Sequence, residues 1–245
     1  DLKGSWSIIL EIINKLNYYL SLKTMTKDGI ENYYKIRKQK MIETNSKKNI
    51  SLIDETISAE KEIMEVLSKE IYSNDYEKIF LKTLYFDSST LIEFIESMCE
   101  IAKREFQNNS QTKIFFLQKI VEVTEINILC RPRFNLNNIW KIVSDFLVEI
   151  GLSNDSDNSS HSIDSLRQLT MKYLEKDESK EYHFQALFFK PFLEISKKCQ
   201  DIFIRKFIIS CINNLIRNNL TKIKSGCVVI LNIFEEIFKV PDEVM

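Results

Sequence analysis

Residues 164–176, DSLRQLTMKYLEK, place Asp164 three residues before Arg167 and four before Gln168. Side chains at those spacings are neighbours on one face of an α-helix. A carboxylate between a guanidinium and a primary amide has two readings. It is a helix-local ion pair worth about 0.3–0.5 kcal/mol, or Arg167 reaches across to an adjacent helix or a partner. The stretch RPRF at 131–134 sets Arg131 and Arg133 on a tight corner, where a guanidinium can grip a carboxylate or phosphate through two parallel hydrogen bonds. A solvated corner is the plainer alternative. Asp164, Arg167, Gln168, Arg131 and Arg133 are therefore the candidate partner-binding or architectural residues.

Other chemistry is poorly supplied. The two histidines, His161 and His183, have no second histidine or cysteine at a metal-ligand spacing. The five cysteines, Cys99, Cys130, Cys199, Cys211 and Cys227, form no CxxC pair and read as small hydrophobes of a reducing compartment. Phosphate-binding glycine loops, HExxH and GxSxG are missing from the sequence. No catalytic residue, metal or cofactor is expected. Net charge is −1, from 34 basic and 35 acidic residues closely mixed, so the basic excess of a nucleic-acid binder is lacking. The most basic run, 35–48, is the one stretch that invites peripheral contact with an anionic membrane. The start at Asp1, with neither methionine nor a signal-like segment, reads as a piece of a longer chain.

The elements that must carry these residues are helices. Four glycines and three prolines in 245 residues are too few turn formers for a sandwich or a doubly wound sheet. Apolar residues recur at three- and four-residue spacing through most of the chain. Trp6, Ile9, Ile13, Leu16 and Leu20 form one stripe, with Ser5 as its expected cap. Ile57, Ile63, Val66, Leu67 and Ile71 form a second, over 54–71. A third helix is expected over 75–86. The hydroxyls of DSST at 87–90 are expected to cap a helix through Phe106 that turns Leu91, Phe94, Ile95, Met98 and Ala102 inward. KIFFLQKIVEVTEINIL follows, and Pro132 stops it. Asn135 is expected to open the next helix and Gly151 to close it in the left-handed conformation. The polar run 153–160 reads as a disordered loop, which places Asp164 in the first turn of the helix that follows.

Ile163, Leu166, Leu169, Tyr173 and Leu174 give that helix its buried stripe. Pro191 is expected in the first turn of a helix starting near Lys190. Two further helices close the chain, and the apolar CVVILNIF within the last reads as core. The aromatic pairs Phe115/Phe116 and Phe203/Phe207 are also read as core. About ten helices joined by short connections make an all-α, armadillo- or HEAT-like superhelix of antiparallel helices. It is expected to be one helical-repeat region over 1–245, with 24–50 a divergent or mobile insert.

Seven segments together resemble a known family in their order and spacing. They are SWSIILEIINKL (5–16), FLQKIVEV (116–123), IWKIVSDFLVEIG (139–151), DSLRQLTMKYLEK (164–176), FFKPF (188–192), IRKFIISCINNLI (204–216) and IKSGCVVILNIF (223–234). The family is the helical homology-downstream region of the large BIG-type, or Sec-seven-type, Arf guanine-nucleotide exchange factors. Departures from its pattern are Leu136 and Cys227, where the family usually has tryptophan, and Pro132 within its arginine-rich corner. The resemblance implies a non-catalytic regulatory scaffold acting in vesicle trafficking, since exchange belongs to a separate catalytic domain upstream. It implies GTP-loaded Arf and that catalytic domain as partners, and a cytoplasmic, peripheral location at Golgi membranes. The residues alone leave open a helical-repeat adaptor for an unrelated trafficking protein.

Overall fold

The computed structural model describes residues 2–23, 27–44, 50–70, 75–107, 113–176, 178 and 184–239. Eleven α-helices and no strand occur among the described residues: α1 (Leu2–Lys23), α2 (Lys27–Thr44), α3 (Ile50–Glu70), α4 (Lys78–Lys82), α5 (Ser88–Gln107), α6 (Lys113–Cys130), α7 (Arg133–Gly151), α8 (Ser156–Tyr173), α9 (Gln185–Lys198), α10 (Ile202–Asn219) and α11 (Gly226–Phe238). Two 3-10 turns, Asp75–Glu77 and Thr83–Tyr85, flank α4. The chain divides into two compact units, residues 8–78 and residues 1–7 with 79–245, rather than one uniform array.

In the smaller unit α2 packs on α3 around Tyr34, Ile53 and Ile57, with Ile30, Tyr33 and Met41 at the margin. Much of the stretch read as an insert is thus the helix α2. Its charge hid a sparse stripe that α3 covers. Arg37 pairs with Glu60 and Lys38 with Asp54, so part of the basic run is neutralised within the unit. Ile63 and Val66 lie at 47% and 54% exposure, outside the face expected of them. Ser5 lies inside α1, which already starts at Leu2.

The larger unit carries the superhelix. Each helix from α5 to α11 packs on its successor or on the next helix but one: α5 on α6 and α7, α6 on α8, α7 on α8 and α9, α8 on α10, and α9 on α11. The odd-numbered helices therefore form one layer and the even-numbered a second. Leu91, Phe94, Ile95, Met98 and Ala102 are fully buried on α5, as their spacing requires. The α5 cap is the Asp87 carboxylate, which accepts from the N–H groups of Ser89 and Thr90 at 3.0 Å. The hydroxyls of both residues donate to it as well, and they hold its pKa below the ordinary value. Hydroxyls here serve the cap; they do not make it.

Residues 156–160 of the polar run read as a disordered loop are helix, the opening turns of α8. Asp155 caps it by accepting from Asp157 and Asn158 N–H, and Ser156 begins the first turn. Ser159, Ser162 and Ser165 are buried. Ser162 donates to the Leu147 carbonyl of α7, and Ser165 to its own helix at His161. Small hydroxyl residues let α7 and α8 approach closely while these hydroxyls find carbonyls. Asp164 consequently sits two turns inside α8, and Asp157 takes the first-turn position.

Two glycines act by close approach. Gly151 is the last residue of α7, and a Cβ on it would lie 2.7 Å from Ile195 Cδ1 of α9. Its role is that contact and not a left-handed stop. At Gly226 a Cβ would meet the Phe189 ring at 2.7 and 2.9 Å. Phe203, expected in the core, is 58% exposed. On α11 only one face is core, with Val228 and Leu231 at 65% and 67% exposure.

Candidate functional site

On α8 the stripe Ile163, Leu166, Leu169, Tyr173 and Leu174 is buried to 2% exposure or less. The opposite ridge carries the polar triplet. Arg167 Nε donates to Asp164 Oδ1 at 2.7 Å and Gln168 Nε2 donates to Asp164 Oδ2 at 2.7 Å. One carboxylate thus orients both neighbours along the helix. The ridge runs beside Cys211 of α10, whose thiol is pushed up to about 12, first by burial and then by the Asp164 carboxylate, against a lowering by Arg167. His161 is exposed one turn earlier. His183 lies outside the described residues.

Reach to a neighbouring helix comes from the lysines. Lys172 stands 3.1 Å from Glu175 on its own turn and 3.6 Å from Glu125 of α6. Lys176 donates to the Ile128 carbonyl near the end of α6.

Arg131 is an architectural residue. Its Nη2 donates to the carbonyls of Thr83 at 2.9 Å and Phe86 at 2.6 Å, and its Nε to Asn127 Oδ1 at 2.6 Å. Asn127, fully buried, returns a bond to Thr83 Oγ1 at 3.1 Å. The guanidinium satisfies open carbonyls of the 3-10 turn after α4, so its fork is spent inside the fold. The side chain of Arg133 lies outside the described residues, and Arg131 and Arg133 are not brought to the α8 ridge by any described contact.

Two polar centres escaped sequence reasoning. Glu178, 4% exposed, caps two helices at once. Its Oε1 accepts from Phe184 N at 2.8 Å and Gln185 N at 3.1 Å before α9, and its Oε2 from Ser225 N at 3.0 Å before α11. Ser225 Oγ donates to it too. Burial alone raises its pKa, but the bonds from Ser225, Gln185 and Phe184 together outweigh that and hold it below the ordinary value. Gln185 completes the clasp, donating to Lys222 O at 2.8 Å and accepting from Lys224 N at 2.7 Å. An acid ahead of two helix starts was the available signal, but the separation of 47 positions from Glu178 to Ser225 hid it.

The second centre is Trp140 of α7. Pro191 lies inside α9, not in its first turn, and has no N–H for the Leu187 carbonyl. The Trp140 indole donates to that carbonyl at 3.0 Å. Its ring stacks on Phe188 at 4.1 Å, which stacks in turn on Tyr173 at 3.6 Å. Together Trp140, Pro191, Leu187 and Val148 floor a groove of about 350 Å³ between α7 and α9.

Among the described residues no group of three or more His, Cys, Asp or Glu side chains is placed to hold a metal ion. No described helix is long and apolar enough to cross a membrane. The class defined by this fold and surface is an α-α superhelical region, with polar clasps holding its helices in register. Residues 172–245 match the profile of the family described as Mon2/Sec7/BIG1-like, HDS. The chain is 36% identical over 152 residues to Brefeldin A-inhibited guanine nucleotide-exchange protein 3 of Arabidopsis thaliana, covering 62% of this chain and 9% of that protein. It is 31% identical over 158 residues to Brefeldin A-inhibited guanine nucleotide-exchange protein 1 of Homo sapiens, covering 64% of this chain and 8% of that protein. The chain is thus similar to the homology-downstream helical region of the BIG-type Arf guanine-nucleotide exchange factors. It spans less than a tenth of the length of these two relatives.

Proposed function

We propose that this chain is a regulatory and scaffolding segment of an Arf guanine-nucleotide exchange factor that works at Golgi membranes, and that it binds GTP-loaded Arf or the factor's own catalytic domain. The match of residues 172–245 to the downstream family supports this reading, since the resemblance implies that exchange belongs to a separate catalytic domain upstream. The partner surface proposed is the α8 ridge of Asp164, Arg167 and Gln168, where Asp164 fixes the direction of both neighbours before any partner arrives. Pre-orientation of that kind lowers the ordering entropy of association.

Pull-down of the chain with GTP-loaded and GDP-loaded Arf tests the reading. Retention of the GTP form alone is expected, and Asp164→Lys with Arg167→Glu should lower it. Equal or absent retention of both forms removes the Arf-sensing version. An unchanged exchange rate when the chain is added to the isolated catalytic domain removes the autoregulatory one. The membrane reading of 35–48 loses force where Arg37 and Lys38 are paired within their own unit.

A further inference from the structure

The groove between α7 and α9 has a charge layout that the proposed Arf contact does not use. Trp140 of α7 meets Leu187 and Phe188 near the start of α9, and Gly151 meets Ile195 near its end. The two helices therefore run in the same direction. Each wall then presents a lysine followed one turn later by an acid: Lys141 and Asp145 on α7, Lys190 and Glu194 on α9. All four are exposed, and Glu194 also pairs with Lys198 at 2.6 Å. Both lysines lie toward one end of the groove and both acids toward the other. Between the walls the floor is apolar and held in place by the indole–carbonyl bond and the ring stack. From Asn137 to Val148 it extends about 16 Å, close to three helical turns.

We propose that the α7/α9 groove docks an amphipathic helical segment of a partner protein, with an apolar stripe for the Trp140–Pro191–Val148 floor and opposite charges one turn apart. An acid on that segment faces Lys141 and Lys190, and a base faces Asp145 and Glu194. Charge complementarity favours this occupant over an anionic membrane, which would meet the two acids as well as the two lysines. It also favours it over a uniformly charged peptide.

The test uses three labelled helical peptides with one apolar stripe: one carrying Glu and Lys a turn apart, one carrying Glu at both positions, and one carrying Lys at both. Binding to the 245-residue chain is followed by fluorescence anisotropy. The mixed peptide is expected to bind about fivefold or more tightly than either twin. Asp145→Lys with Glu194→Lys should shift the preference to the all-Glu peptide, and Lys141→Glu with Lys190→Glu to the all-Lys peptide. These substitutions fall on exposed positions, and unchanged far-ultraviolet circular dichroism verifies that the helices persist. Equal or absent binding of the three peptides, or a preference indifferent to both double variants, overturns the proposal. So does uptake by anionic vesicles, or self-association, that exceeds peptide binding and is lost in the Lys141→Glu, Lys190→Glu variant. Arf retention does not enter the readout, so the two proposals fail separately.

Discussion

Glu178 and Arg167 illustrate how differently two charged residues act in one fold. The Glu178 carboxylate is buried and accepts from N–H groups ahead of α9 and α11, which are charge-assisted bonds of the stronger kind. Glu178→Gln should lower the unfolding free energy by about 1.5–3 kcal/mol at neutral pH. The sign with pH follows from a folded pKa below the unfolded one. The stabilisation is full above the unfolded value of about 4.3 and is lost as pH falls through the folded value. Urea midpoints of the wild type and Glu178→Gln should therefore draw together as pH falls from about 4.3 through the lower folded value. Arg167, partly exposed and paired with Asp164 along its own helix, should cost no more than about 0.5 kcal/mol on replacement by alanine. A large loss of stability there would contradict its assignment as a surface residue. Arg167 was legible in the sequence because its partner is three residues away. Glu178 was not, because its function depends on two helix ends far apart in the chain.

At the scale of the element, α9 is a helix with a proline inside it and a foreign donor repairing the gap. Sequence reasoning places the helix start at Lys190 because a proline is safe only in a first turn. The structure starts α9 at Gln185 and lets Trp140 donate to the Leu187 carbonyl. Trp140→Phe should cost about 1–2 kcal/mol. The cost should shrink by about 1 kcal/mol in a Pro191→Ala background, where the substituted alanine brings its own N–H to the Leu187 carbonyl. A double-mutant cycle by urea unfolding measures this coupling, and additive effects would remove the repair argument. The same scale explains α8. The hydroxyls of 153–160 read as loop formers, yet Ser159 is buried and donates to the Ser153 carbonyl at 3.1 Å, and Ser162 and Ser165 further along satisfy theirs on carbonyls and permit tight packing. Periodicity of apolar residues identified the stripe from Ile163 to Leu174 but could not find a helix start built from serine, asparagine and aspartate.

At the scale of the whole molecule, each helix of the larger unit from α5 onward packs mainly on near neighbours in sequence, as in other repeat architectures. Local damage should then stay local. Gly226→Ala drives a methyl group into the Phe189 ring and should destabilise the α9–α11 contact by about 1–3 kcal/mol. Hydrogen exchange should rise in α9 and α11 while α5 and α6 keep their protection. Uniform acceleration across α5 to α11 would show a single cooperative unit instead. The helical class followed from composition and spacing, since few glycines and prolines and a 3.6-residue period permit little else.

The sequence by itself determined that this chain is all-helical, which side of most helices of the larger unit is apolar, and that Asp164, Arg167 and Gln168 adjoin. Those properties depend on residues within one or two turns of each other. Tertiary structure alone decided the division into two units, the layering of odd and even helices, and the roles of Arg131, Trp140, Glu178 and the two packed glycines. Each of these joins backbone groups or surfaces tens of residues apart, and no local spacing records which distant carbonyl, N–H or ring will be there to meet.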